Sequence, residues 1–173
     1  MAVFEAIATT YLEGTAASVE FTSIPATYEH LQLRISGRQN ISGSAGGALR
    51  IQFNGDTGSN YSNHTFQTYG ASSLNADGYA SFAYVYQAGR LTGPTSHASI
   101  YATTILDIAD YANTNKNTTF IGLTESISAS DYLSFFSALW DDTAAVTSIL
   151  LYSASDDLVE DTTMTLYGLN SAN

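Results

Sequence analysis

The side chains able to do chemistry are few and scattered. Three histidines, His30, His64 and His97, stand far apart, with no His-x-His or His-Glu-x-x-His spacing to bring two of them onto one metal. They read as ordinary surface or rim histidines. Asp56 lies among Asn54, Thr57 and Asn60, an oxygen-rich run, yet the Asp-x-Asp-x-Asp-Gly pattern with a closing Glu that builds a calcium loop is absent. Asp141 and Asp142, and the cluster Asp156, Asp157, Glu160 and Asp161, fall in turn-rich stretches and read as a solvated acidic face. Glycan cleavage needs two carboxylates held about 5 to 9 Å apart, and no acid pair stands out beyond the turns. Serine hydrolysis of the common kind lacks its Gly-x-Ser-x-Gly elbow. The expectation is a protein that is not an enzyme and uses no metal or cofactor, acting by binding alone.

The elements that position these residues follow from composition. The chain has 173 residues, 45% hydrophobic and only 12% charged, with 12 Tyr and no Cys. One core in a single domain spanning residues 1–173 is the expectation. Without cysteine there are no disulfides, and the redox compartment stays open. Sixteen acidic residues against five basic ones give a net charge of -11, which repels phosphate and argues against nucleic-acid binding. No apolar run approaches the roughly 18 residues that span a bilayer, so no membrane insertion is expected. The opening MAVFEAIATT has no basic region and carries Glu5, so it does not read as a signal peptide.

Short stretches rich in Val, Ile, Thr, Tyr and Phe alternate with turn formers, and only Pro25 and Pro94 occur. This pattern is all-β. Candidate strands lie near residues 3–11, 16–22, 30–38, 48–54, 80–87, 98–108, 118–123, 132–138, 145–152 and 162–168. Period two is clearest at Val19/Phe21, Leu31/Leu33/Ile35 and Leu49/Ile51/Phe53, giving each strand a dry and a wet face. The strand count predicts an antiparallel β-sandwich of jelly-roll type, with at most one or two helical turns. Residues 39–47 and 55–77, rich in Gly, Ser and Asn, read as long exposed loops. Trp140, following Leu133, Phe135, Phe136 and Leu139, reads as a core plug.

Local chemistry gives several segments a shape. In SIPATY, Pro25 ends a strand and turns the chain, leaving Tyr28 and Leu31 to cover the core edge with the phenol at a wet rim. In FNGDTGSNYS, Asn54-Gly55 suits positive φ, and Asp56, Thr57, Ser59 and Asn60 can bond back to turn amides. In DYANTNKNTT, Asp110 and the Asn and Thr side chains satisfy loop backbone groups. These segments, in the order SIPATYEHLQL, LRIQFNGDTGSNYSNH, DYANTNKNTT, AAVTSILLYS and TTMTLYGL, resemble a family of tailed-bacteriophage virion proteins, common in phages of aquatic bacteria, built on a β-sandwich module. The resemblance covers most of the chain.

The resemblance implies a virion component, synthesised in the host cytoplasm and placed on a capsid surface or a tail appendage. The first expectation is a decoration or cement protein that binds and stabilises the head shell, partnering the major capsid protein and forming a homotrimer. A module that begins within the first few residues leaves no room for a stalk, which favours the capsid over a long fibre. The alternative is a tail-fibre receptor-binding module recognising host surface glycan. Candidate interface residues are Asn54, Asp56, Asn60, Tyr61, His64 and Tyr69. Tyr61, Tyr69, Tyr79, Tyr84, Tyr86 and Tyr101 admit two readings, an interface or sugar platform and the core and rim of a sandwich.

Overall fold

Alternation of apolar and polar residues dictates strands whose apolar faces must be buried against one another, and the computed structural model realises this as two antiparallel sheets. It describes residues 3–70, 73–127 and 131–171. In chain order the strands are β1 (Val3–Tyr11), β2 (Ser18–Phe21), β3 (His30–Gly37), β4 (Gly46–Phe53), β5 (Tyr61–Tyr69) and β6 (Ser73–Phe82). They continue as β7 (Arg90–Thr92), β8 (Ala102–Ala109), β9 (Thr118–Ser126), β10 (Tyr132–Trp140), β11 (Ile149–Ser153) and β12 (Thr163–Asn170). The described residues contain no helix.

One sheet has eight strands in the order β1-β12-β3-β8-β9-β10-β5-β6, and the other has four, β2-β11-β4-β7. The chain is therefore an antiparallel β-sandwich. The jelly-roll type expected from the strand count is not established by this strand order. Here the β5–β6 hairpin and the β8-β9-β10 meander all join one sheet, so the division is eight and four.

The faces obey the sequence pattern. On β3, Leu31, Leu33 and Ile35 are buried while His30, Arg34 and Ser36 are exposed. Leu106, Ile108, Phe120, Phe136, Trp140 and Leu166 join them from the large sheet. Val19, Phe21, Leu49, Ile51, Phe53, Ile149 and Leu151 meet them from the small sheet. Each such fully buried side chain contributes about 2 kcal/mol. Trp140 plugs this core, packed against Phe53 at 5.5 Å between ring centroids. Tyr28 packs on the core edge and its hydroxyl donates to Glu5 Oε2 at the rim, as the SIPATY segment predicts.

The expected loop over residues 55–77 is corrected. Tyr61–Tyr69 and Ser73–Phe82 pair as β5 and β6, and the strand expected near 80–87 survives only as the end of β6. Periodicity failed here because the inward side chains of β5 are the buried polar residues Asn63, Thr65 and Gln67, whereas its outward row carries Phe66. On β6 nearly every position is exposed, so no apolar alternation marks it. Residues 83–89 are irregular and lie along β4, with the Val85 and Ala88 amides donating to the Ile51 and Leu49 carbonyls. The expected loop over residues 39–47 holds for residues 40–45; Gln39 is buried in a bridge to Leu158, and β4 begins at Gly46.

Close packing between β9 and β10 supplies a test of the sandwich. Gly122 faces Phe136 across the ladder, and a Cβ there would lie 2.2 Å from Phe136 Cζ and 3.0 Å from the Ile105 carbonyl oxygen. Gly122→Ala is expected to cost about 2 kcal/mol by overpacking. The loss is read as a lowered urea midpoint with an unchanged slope; a midpoint equal to wild type would show that Phe136 does not occupy this space.

Candidate functional site

The predicted interface residues separate into structural and exposed ones. The turn after β4 forms as its sequence implies, with Asn54 and Gly55 at φ of 53° and 67°. Asn54 Oδ1 accepts from the Thr147 and Ser148 amides at 2.7 and 3.1 Å, and its Nδ2 donates to the Ala145 carbonyl, tying this turn to the approach of β11. Asp56 receives three hydrogen bonds, from Trp140 Nε1 at 2.7 Å, Asn60 Nδ2 at 2.9 Å and the Gly58 amide at 2.7 Å. The indole and amide donors hold its carboxyl below the usual range, against the opposing effect of burial. Asn54, Asp56 and Asn60 thus use their polar atoms within the fold, latching the loop over Trp140.

Tyr61 is corrected as a surface residue. It is fully buried, its ring stacks on Trp140, its hydroxyl accepts from the Phe53 amide at 3.0 Å, and burial pushes the phenol well up. The period-two rule places Tyr61 on the inner row of β5, a signal hidden while that stretch read as loop. His64 and Tyr69 do reach the surface, on opposite faces of β5: His64 on the outer row, Tyr69 on the inner row and half-buried. Among the described residues no group of three or more His, Asp or Glu is arranged to hold a metal ion.

The outer face of the eight-stranded sheet is the larger feature, and sequence reading missed it. Cross-strand register puts Phe66 opposite Phe135, Phe135 opposite Leu123, and Leu123 opposite Ile105. Leu133, Ile121 and Leu74 lie on neighbouring rows of the same face. Phe66 is 51% exposed, Leu74 62%, Ile121 61% and Phe135 55%, so this is a contiguous strip and not a scatter of single residues. With strands about 4.8 Å apart, the five strands from β6 to β8 carry it roughly 19 Å across the sheet. Its exposed apolar area is on the order of 500 Å², at the size that marks interaction sites on soluble proteins. His64 and Ser137 line a shallow groove along it, together with Phe66, Ile121 and Phe135. Polar residues bound one end, where Gln32 Nε2 donates to Asp107 Oδ1 and Arg34 lies over the stacked Phe4 and Tyr167 rings.

A second concavity, a cleft of about 410 Å³, lies where β4, β5 and β6 meet residues 86–90. Its lining includes Arg50, Arg90, Tyr69, Tyr79, Tyr86 and Asp77. Tyr79 stacks on Tyr86 with centroids 4.3 Å apart, and Gln87 bridges Gln67 and Tyr132 below.

No family model, curated protein or solved structure matches this chain.

Proposed function

We propose that the chain is a non-enzymatic structural protein of a bacteriophage virion, a decoration or cement protein that docks on the head shell through the outer face of its eight-stranded sheet and assembles as a trimer. The observation that carries the docking reading is the apolar strip centred on Phe135, Phe66 and Leu123. An apolar centre of that size inside a polar rim is what a standard interface of about 800 Å² per partner contains. The paired strands hold the backbone under these side chains in place, so docking costs less conformational entropy than ordering a loop would. The virion as the setting rests on the resemblance of the SIPATYEHLQL and FNGDTGSNYS segments. Binding only to the assembled shell would stabilise that shell by mass action.

The experiment is to mix purified protein with capsids lacking it and, in parallel, with host cells, then measure what sediments with each. Saturable capsid binding and a raised temperature of capsid disruption are the expected results. Binding to cells alone, abolished when surface polysaccharide is removed, would overturn this reading in favour of a receptor-binding module. That second reading is favoured by one observation, the arginine–tyrosine cleft.

A further inference from the structure

The five basic residues of this acidic chain are unequally committed. Arg34 donates to Gln32, Arg38 donates to the His97 and Ile100 carbonyls, and Lys116 pairs with Asp110. Arg50 and Arg90 differ. Among the described residues neither guanidinium lies in ion-pair range of a carboxylate, and the Nε of each is buried with no hydrogen-bond partner. Leaving a charged donor dry and unpaired is costly, and an anionic ligand meeting the remaining N–H groups of each guanidinium would offset that cost.

Both arginines line the same cleft, held there by aromatic rings. The Arg50 guanidinium carbon lies 4.1 Å from the Tyr84 ring centroid and 5.7 Å from that of Tyr86, and Arg90 lies 4.2 Å from that of Tyr132. Cation–π contact occupies the flat face of a guanidinium and leaves its edge, where the N–H donors point, uncommitted. Such an edge matches the two oxygens of a carboxylate. The remaining lining is of another kind. Tyr69 and the stacked Tyr79 and Tyr86 bring phenol groups to this polar lining, and Asp77 and Asn75 offer acceptors and donors to hydroxyls. Asp77 is oriented by Gln67 Nε2, which donates to its Oδ2 at 3.1 Å. A bare inorganic anion would use the arginines and be repelled by Asp77. The volume falls in the range of about 300 to 1,000 Å³ typical of small-ligand sites.

We propose that this cleft binds a carboxylated sugar, with Arg50 and Arg90 receiving the carboxylate and Asp77, Asn75 and the phenol groups of the lining tyrosines bonding to its hydroxyls. The inference deepens the glycan-binding reading, on which it rests, and is independent of docking through the opposite face.

The test is an NMR titration of the whole chain with N-acetylneuraminic acid, trigalacturonic acid, neutral maltotriose and sodium sulfate, following the arginine Nε–H signals. The acidic sugars are expected to shift the Arg50 and Arg90 signals saturably, with maltotriose and sulfate at least roughly tenfold weaker. Arg50→Gln and Arg90→Gln should each weaken acidic-sugar binding about tenfold or more, and Arg34→Gln should leave it unchanged. Arg50→Lys, which keeps the charge but not the planar fork, provides a milder variant should the glutamine forms unfold, and it too should bind more weakly. Equal binding of maltotriose in the cleft would overturn the carboxylate assignment and leave the glycan reading standing. Sulfate binding as tightly as the sugars would reduce the site to a simple anion site. Absence of any sugar-induced shift up to about 50 mM would overturn both.

Discussion

Phe135→Glu is expected to abolish docking while leaving the sandwich folded. Phe135 is the middle residue of the apolar strip, flanked across the ladder by Phe66 on β5 and Leu123 on β9, and it is more than half exposed. A glutamate there puts an unpaired charge at the centre of any interface formed on this face, where truncations alone cost about 2 kcal/mol or more, roughly thirtyfold in affinity. In the free chain the same glutamate stays hydrated, so folding loses only the cross-strand aromatic contact, about 1 kcal/mol or less. Cosedimentation with capsids, sedimentation velocity of the free protein and a thermal melt read the three effects separately. Phe4→Ser, on the β1 edge of the same sheet beyond Arg34, is the control and should dock normally. Full docking by Phe135→Glu would move the interface elsewhere on the molecule.

Asp56→Ala should produce the largest stability loss of any loop substitution. Three donors converge on this carboxylate, one of them the indole N–H of the buried Trp140. Removal leaves that donor without its acceptor and releases the turn joining β4 to β5, for an expected cost of about 3 kcal/mol. Asp56→Asn, which keeps an acceptor oxygen but not the charge, should cost about 1 kcal/mol. The effect has a defined pH dependence. Hydrogen bonds from Trp140 and Asn60 hold the folded carboxyl below the ordinary value of 3.8, so the ionised form contributes in full above 3.8 and its contribution disappears as pH falls through the lower folded value. The stability difference between wild type and Asp56→Ala should therefore be constant at neutral pH and shrink in acid. Trp140 is the single tryptophan, so its fluorescence reports both the unfolding and the local environment of the carboxylate. A difference that stays the same down to acid pH would show that the ionised state of Asp56 is not what holds the loop.

Sequence pattern and structure agree wherever one face of a strand is apolar and the other is wet. Leu31, Leu33 and Ile35 on β3 and Leu49, Ile51 and Phe53 on β4 are buried as alternation requires, and Trp140 sits in the core that its apolar neighbours imply. Agreement ends at β5 and β6. There the inner row of β5 is polar at Asn63, Thr65 and Gln67, with Gln67 and Tyr69 lining the arginine–tyrosine cleft, and the outer face is apolar at Phe66 and Leu74, which belong to the exposed strip. An inverted pattern of this kind is indistinguishable from a loop when only hydrophobic periodicity is read. The same inversion explains the mixed fate of the site residues. Asn54, Asp56 and Asn60, each half-buried, spend polar atoms on contacts within the fold, Tyr61 joins the core, His64 is exposed and Tyr69 is half-buried.

What the amino-acid sequence determines by itself is local. It specifies strands rather than helices, the turn at Asn54-Gly55, a net charge of -11, and the burial of the alternating apolar rows of β3 and β4. Which strands become neighbours is decided only in three dimensions, because pairing brings together segments with no local signature in common. Phe66, Leu123 and Phe135 form one strip because β10 lies between β5 and β9, and Arg50 and Arg90 share one cleft because residues 83–89 fold back along β4. Strand alternation selects which side chains face outward, and register across the sheet turns that selection into a surface.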